Sequence, residues 1–274
     1  MLANLQVGAN TISSHVARYQ VNTDEYFYIS TDPVSANFPL LSGRFIATGS
    51  HGSFSNSSLG GNYVIHLIGN GGGVATVTLG IVTLSGGNLN GTIFNYQEGS
   101  GAATSQTVSG NYLVNMNTGR TPLSGPGIGN HPPILYLASP NSSTEPISAF
   151  LVGTDGSGTF GFAEASSGTF TTSGLAGNYF FGTENPGDNT VTTNVGDAII
   201  ASSGAVTGTQ DKSGTGGLST SALSGASITI TNSNGSGNVG AGTIAITNGE
   251  SIWFFDEGSP AGNSPASIRV IEKQ

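Results

Sequence analysis

The strongest constraint on this chain is that it repeats itself over a long distance. Phe54-Ser-Asn-Ser-Ser-Leu59-Gly-Gly61-Asn62-Tyr63 recurs as Phe170-Thr-Thr-Ser-Gly-Leu175-Ala-Gly177-Asn178-Tyr179, an offset of 116 residues (170 − 54). The shared pattern is F-x4-L-x-G-N-Y. A second block, Val108–Leu113, lines up with Leu223–Ile228 at an offset of 115 (223 − 108). A third, Tyr26–Ile29, matches both Leu135–Ala138 and Trp253–Asp256. Each copy of the third block is followed by a polar, Pro-containing linker and a further apolar strand: Arg44–Ile46, Phe150–Val152 and Arg269–Ile271. The chain therefore divides into residues 1–53, the C-terminal half of a repeat; 54–169, a full repeat; and 170–274, a second full repeat. The first copy lacks its opening Gly-Asn-Tyr half, and we expect the chain to be cut from a longer protein. A unit of about 100 residues can bury its own core, so the repeats are tandem domains rather than solenoid coils.

Within each repeat the periodicity is that of antiparallel β. In Ser227-Ile228-Thr229-Ile230-Thr231 and Thr243-Ile244-Ala245-Ile246-Thr247, apolar and small or hydroxylated residues alternate, so one face is buried and the other wetted. Tyr63, Ile65 and Leu67 share one face in the same way. Between the runs stand Asn70-Gly71-Gly72-Gly73, Ser85-Gly86-Gly87-Asn88, Asp155-Gly156-Ser157-Gly158 and Asn234-Gly235-Ser236-Gly237. Such segments make tight turns, which join antiparallel neighbours; parallel strands need long crossovers. No stretch keeps helical apolar spacing, so no substantial helix is expected. Seven or eight strands per full repeat predict a meander β-barrel, with a two-sheet sandwich as the alternative closure.

Composition narrows the function. Among 274 residues there are 44 Gly, 15 acidic side chains, only six Lys and Arg, and no Cys. A disulfide scaffold is excluded. Six scattered basic residues and a net charge of −9 exclude a nucleic-acid footprint, which needs clustered Lys and Arg. No uninterrupted apolar run reaches the roughly 20 residues of a spanning helix. Scarce charge with abundant Gly, Ser, Thr and Asn fits an extracellular or cell-surface protein, although Met1–Gly8 lacks the features of a signal sequence.

Tyr28-Ile29-Ser30-Thr31-Asp32-Pro33-Val34-Ser35-Ala36-Asn37 followed by Pro39-Leu40-Leu41-Ser42-Gly43 resembles a recurring segment of β-rich tandem-repeat proteins of acidobacterial type. Leu59–Tyr63, Gly153–Gly156 and Gly177–Thr183 fit the same pattern. The resemblance covers nearly the whole chain. It implies a secreted or surface-exposed β-repeat architecture, often accompanied by immunoglobulin-like domains, and carries over no functional residues.

Candidate chemistry is sparse. His15, His51, His66 and His131 stand apart and match no ligand or triad spacing; we read them as surface or loop residues. Neither Asp24-Glu25 nor Asp256-Glu257 makes a ready carboxylate dyad, because adjacent strand residues point to opposite faces. Glu184-Asn185-Pro186-Gly187-Asp188-Asn189 is the best oxygen-rich loop, with Glu184 and Asp188 as candidate calcium ligands. The aromatic strands pack mainly into the core, which leaves Tyr136 and Trp253 as outward candidates for stacking on a glycan. No cofactor is called for. The leading expectation is a non-enzymatic structural or adhesive β-repeat protein, self-associating through poorly charged edge strands. The alternatives are a module binding a glycan or a small apolar ligand inside a barrel, and a polysaccharide-degrading enzyme on a β scaffold.

Overall fold

A computed structural model of the chain describes residues 2–7, 10–20, 25–31, 42–46, 53–71, 74–100, 102–126, 128, 131–138, 148–154, 158–184, 193–214, 217–240, 242–255 and 266–274. The first element is an antiparallel sheet in the order β1 (Leu2–Val7), β2 (Asn10–Gln20), β3 (Glu25–Ser30) and β4 (Ser42–Ile46). It belongs to one compact unit; Ser53–Leu137 and Ile147–Gln274 form a second.

The second unit contains two closed barrels of eight strands each. The first is built from β5 (Gly61–Gly71), β6 (Val74–Ser85), β7 (Asn88–Gln97), β8 (Thr104–Tyr112), β9 (Arg120–Ser124), β10 (Ile134–Ala138), β11 (Ser148–Val152) and β12 (Phe160–Ser166). The other uses β13 (Gly177–Glu184), β14 (Thr193–Ile200), β15 (Ala205–Gly214), β16 (Gly217–Ile230), β17 (Ser236–Val239), β18 (Thr243–Thr247), β19 (Ser251–Phe255) and β20 (Ile268–Lys273). Sequence neighbours pair antiparallel around each ring, and β12 returns to β5 as β20 returns to β13. The closure is therefore an up-and-down barrel, not a sandwich. Turn chemistry supports it: Gly86 (φ +56°) and Gly87 (φ +95°) form the two-residue connection from β6 to β7, a conformation that strongly favours Gly. Closure removes free edges from both barrels. The edge strands on which self-association would rest are β1 and β4.

The F-x4-L-x-G-N-Y motif proves to be the floor of each barrel. It forms a 3-10 turn, Asn56–Ser58 in one copy and Thr172–Leu175 in the other. Leu59 and Leu175 are buried in their respective cores. The variable positions of the motif hold the turn in place. Asn56 Oδ1 accepts from the Val114 N–H at 2.9 Å, and Thr172 Oγ1 accepts from the Ile230 N–H at 3.0 Å. The Leu59 carbonyl receives the Tyr112 hydroxyl and the Leu175 carbonyl receives the Tyr179 hydroxyl, each at 2.7 Å. Replacing Asn56 with Ala strands the Val114 N–H beneath the turn. We expect a loss of about 1–2 kcal/mol, read as a lower urea midpoint with an unchanged slope.

The third repeated block is less regular. Leu135–Ala138 lies on the sixth strand of its barrel, whereas Trp253 and Phe254 lie on the seventh strand of theirs. The aromatic segments are thus not equivalent places in the fold.

Both faces of several strands are buried. On β5, Tyr63, Ile65 and Leu67 point into the first barrel, while Val64 and Ile68 point out of it. Those outward residues join Val77, Leu79 and Ile81 of β6 in a second cluster with Ile246, Trp253, Phe255 and Ile268 of the other barrel. The apolar run from Val74 to Leu84 reflects this double burial, and the two barrels share a core where they meet.

Candidate functional site in the first barrel

An eight-stranded barrel has an interior that side chains can fill or that can hold one small ligand. The strand ladders show that the two barrels are lined differently at matched positions. In the first, Ala163 lies between Ile65 and Ala149, and Gly161 lies between Leu67 and Leu151. At the same places in the second, Ile271 lies between Phe181 and Ile252, and Arg269 lies between Thr183 and Phe254. The Arg269 guanidinium covers the Phe181 and Phe254 rings, 5.5 and 5.6 Å from their centroids, a cation–π arrangement. Small residues in the first barrel thus replace bulky ones in the second. A Cβ at Gly161 would run into the His66 carbonyl, so that wall cannot simply be thickened.

The space left in the first barrel is an apolar chamber of about 120 Å³ lined by residues that include Ile65, Leu67, Val82, Leu84, Leu89, Ile93, Val108, Leu135, Leu151 and Ala163. Among the described residues its only polar lining side chains are Thr78 and Asn95. The Thr78 hydroxyl donates to Asn95 Oδ1 at 2.7 Å. Both residues also line a wider vestibule of about 500 Å³, together with Thr76, Tyr96, Gln97, Ser100, Thr104, Gln106 and His131. The arrangement is a cup: an aliphatic floor, a neutral polar neck and a hydrogen-bonding rim. It can hold an apolar group and satisfy a polar end.

A second constellation lies where the barrels meet. His66, on the outer face of β5, is 3% exposed, which corrects its reading as a surface or loop residue. Its ring stacks between Phe162 and Trp253, with centroids 5.4 and 5.3 Å away. Nδ1 is 3.1 Å from the Glu184 carboxylate of the second barrel, and Nε2 is 3.6 Å from Glu164 of the first. Burial pulls the imidazole pKa down, but the two carboxylates outweigh it and push the value up to about 9. His66 is therefore an imidazolium near neutral pH. The carboxylates face opposite ring nitrogens, so the three groups do not converge on one point. Among the described residues no group of three or more His, Cys, Asp or Glu could hold a metal ion.

The residues singled out in the sequence fall elsewhere. Tyr136 is 41% exposed on β10, opposite Arg120. Trp253 does point out of its own barrel, but the other barrel covers it and it is 1% exposed; it offers no open stacking face. Glu184 ends β13 and faces His66. Asp188 lies outside the described residues, as do His51, Asp24 and the pair Asp256-Glu257. His15 and His131 are exposed. Sequence reasoning missed Thr78, Asn95 and the small-residue wall. Gly161 and Ala163 alternate on one face of β12 and were the available signal, but only the ladders reveal what stands opposite them. No protein-family model matches the chain, and no curated protein matches it.

Proposed function

We propose that this chain is a non-enzymatic tandem-barrel binding protein of the bacterial exterior, whose first barrel is a receptacle for one small, largely aliphatic molecule. The observation that carries the reading is the chamber itself, kept open by Ala149, Gly161 and Ala163 where the second barrel carries Ile252, Arg269 and Ile271. The second barrel then serves as a packed support. An exterior location draws on the scarce charge and the abundance of Gly, Ser, Thr and Asn, together with the resemblance to secreted repeat proteins.

Benzene tests the receptacle, because an apolar protein cavity of about 150 Å³ stays dry and accepts it. Titration of the full chain should give saturable binding at one site. Ile65→Phe, which copies Phe181 of the second barrel, should weaken it at least about tenfold while circular dichroism still reports the β fold. Absence of binding, or undiminished binding in the folded variant, would contradict the receptacle.

An adhesive or assembly role is a second reading, favoured by one feature. Phe180, Val195 and Ile199 stand around Asp197 on the outer face of β13 and β14, 61%, 52% and 52% exposed. Such patches commonly mark contact surfaces.

A further inference from the structure

Building on the receptacle reading, we infer that the ligand is an uncharged aliphatic molecule carrying a hydrogen-bond-accepting oxygen, and that the Asn95 amide receives this oxygen at the neck of the cup. Three observations lead there. First, the chamber walls are aliphatic, without an aromatic ring or a charge. A cationic ligand would find neither a counter-charge nor an aromatic face inside.

Second, among the described residues no Lys, Arg, Asp or Glu lines the chamber or the vestibule. A carboxylate or phosphate entering the neck would shed hydration with no cation to replace it, which is strongly unfavourable. A neutral polar end loses far less.

Third, the neck has a defined polarity. Thr78 donates its hydroxyl hydrogen to Asn95 Oδ1, so the Asn95 oxygen already has a partner. The two N–H donors of its amide make no hydrogen bond among the described residues. A half-buried amide of this kind is best satisfied by an acceptor such as an ester or ketone carbonyl, or an alcohol oxygen. The chamber, slightly smaller than one that holds benzene, takes the adjoining aliphatic group, and the vestibule takes the remainder. The second barrel sharpens the contrast. Where Asn95 pairs with Thr78, it places Lys212 opposite Asn194, so the same ladder position can carry a charge.

The test uses two probes of matched chain, methyl hexanoate and hexanoate, titrated into the full chain at pH 8 beside benzene. The wild type should bind methyl hexanoate at least about tenfold more tightly than hexanoate. In Asn95→Leu the ester-to-benzene affinity ratio should fall about five- to tenfold, the worth of one hydrogen bond. Asn95→Lys should reverse the preference toward hexanoate, and thermal melting should confirm that both variants fold. If benzene binds but ester and carboxylate bind alike, or Asn95→Leu leaves the ratio unchanged, the neck assignment is overturned while the receptacle stands. If benzene itself fails to bind, both fall together.

Discussion

Trp253→Ala should cost the protein about 3–5 kcal/mol, the usual range for deleting a large buried aromatic side chain. Trp253 is 1% exposed and sits on β19 between Ile252 and Phe254, which point into the second barrel. Its own side chain points the other way, into the cluster formed with Val64, Ile68, Val77 and Leu79 of the first barrel. The loss should therefore fall on the joint between barrels rather than on either lumen. Calorimetry of the wild type should show the barrels melting together, and the variant should separate them into two transitions. Trp253→Phe should be much milder, because it keeps an aromatic wall and removes an indole N–H that has no hydrogen-bond partner among the described residues. Tyr136→Ala, on an open face, should shift stability by no more than about 0.5 kcal/mol. A Trp253→Ala protein that melts as one unit near the wild-type temperature would refute the shared core.

The second large effect concerns pH. His66 titrates near 6.5 in an unfolded chain and is pushed up to about 9 between Glu164 and Glu184. The folded state thus holds its proton more tightly than the unfolded state. The resulting stabilisation is fully present below about pH 6.5 and is lost as pH rises through about 9. At 1.36 kcal/mol per unit, this is roughly 3 kcal/mol at the limit. The partly exposed carboxylates soften that value. Wild-type unfolding midpoints should fall between pH 6.5 and 9.5, and His66→Gln should remove most of that slope. Because Glu184 comes from the second barrel and Glu164 from the first, the same loss should loosen the joint. A wild-type profile that is flat across this window, or an equal slope in His66→Gln, would show that the imidazolium does not hold the barrels together.

Much of the fold was legible in the sequence because it is written in local patterns. Alternation in segments such as Ile228 and Ile230, together with the Gly86-Gly87 turn, specifies antiparallel hairpins without reference to distant contacts. The recurrence of Leu59 and Leu175 marked equivalent floors. The joint was hidden for a physical reason. An outward strand residue buried by a neighbouring barrel looks the same in sequence as one that faces water beside apolar neighbours, and so Trp253 and His66 were misplaced. The lumen was hidden for a different one. Whether a barrel is filled depends on which side chains meet across it, and Ala163 meets Ile65 from a strand almost a hundred residues away (163 − 65 = 98). The aromatic blocks at Leu135 and Trp253 matched in composition while occupying the sixth and seventh strands, because both strands answer to the same demand for bulky apolar residues.

The most direct test of the account is a nuclear magnetic resonance titration of the isotopically labelled full chain with benzene. Shifts should gather on Ile65, Thr78, Asn95, Leu151 and Ala163 and spare Phe181, Phe254 and Arg269. Shifts confined to the outer face around Phe180 and Ile199, equal shifts in both lumens, or none at all would contradict it.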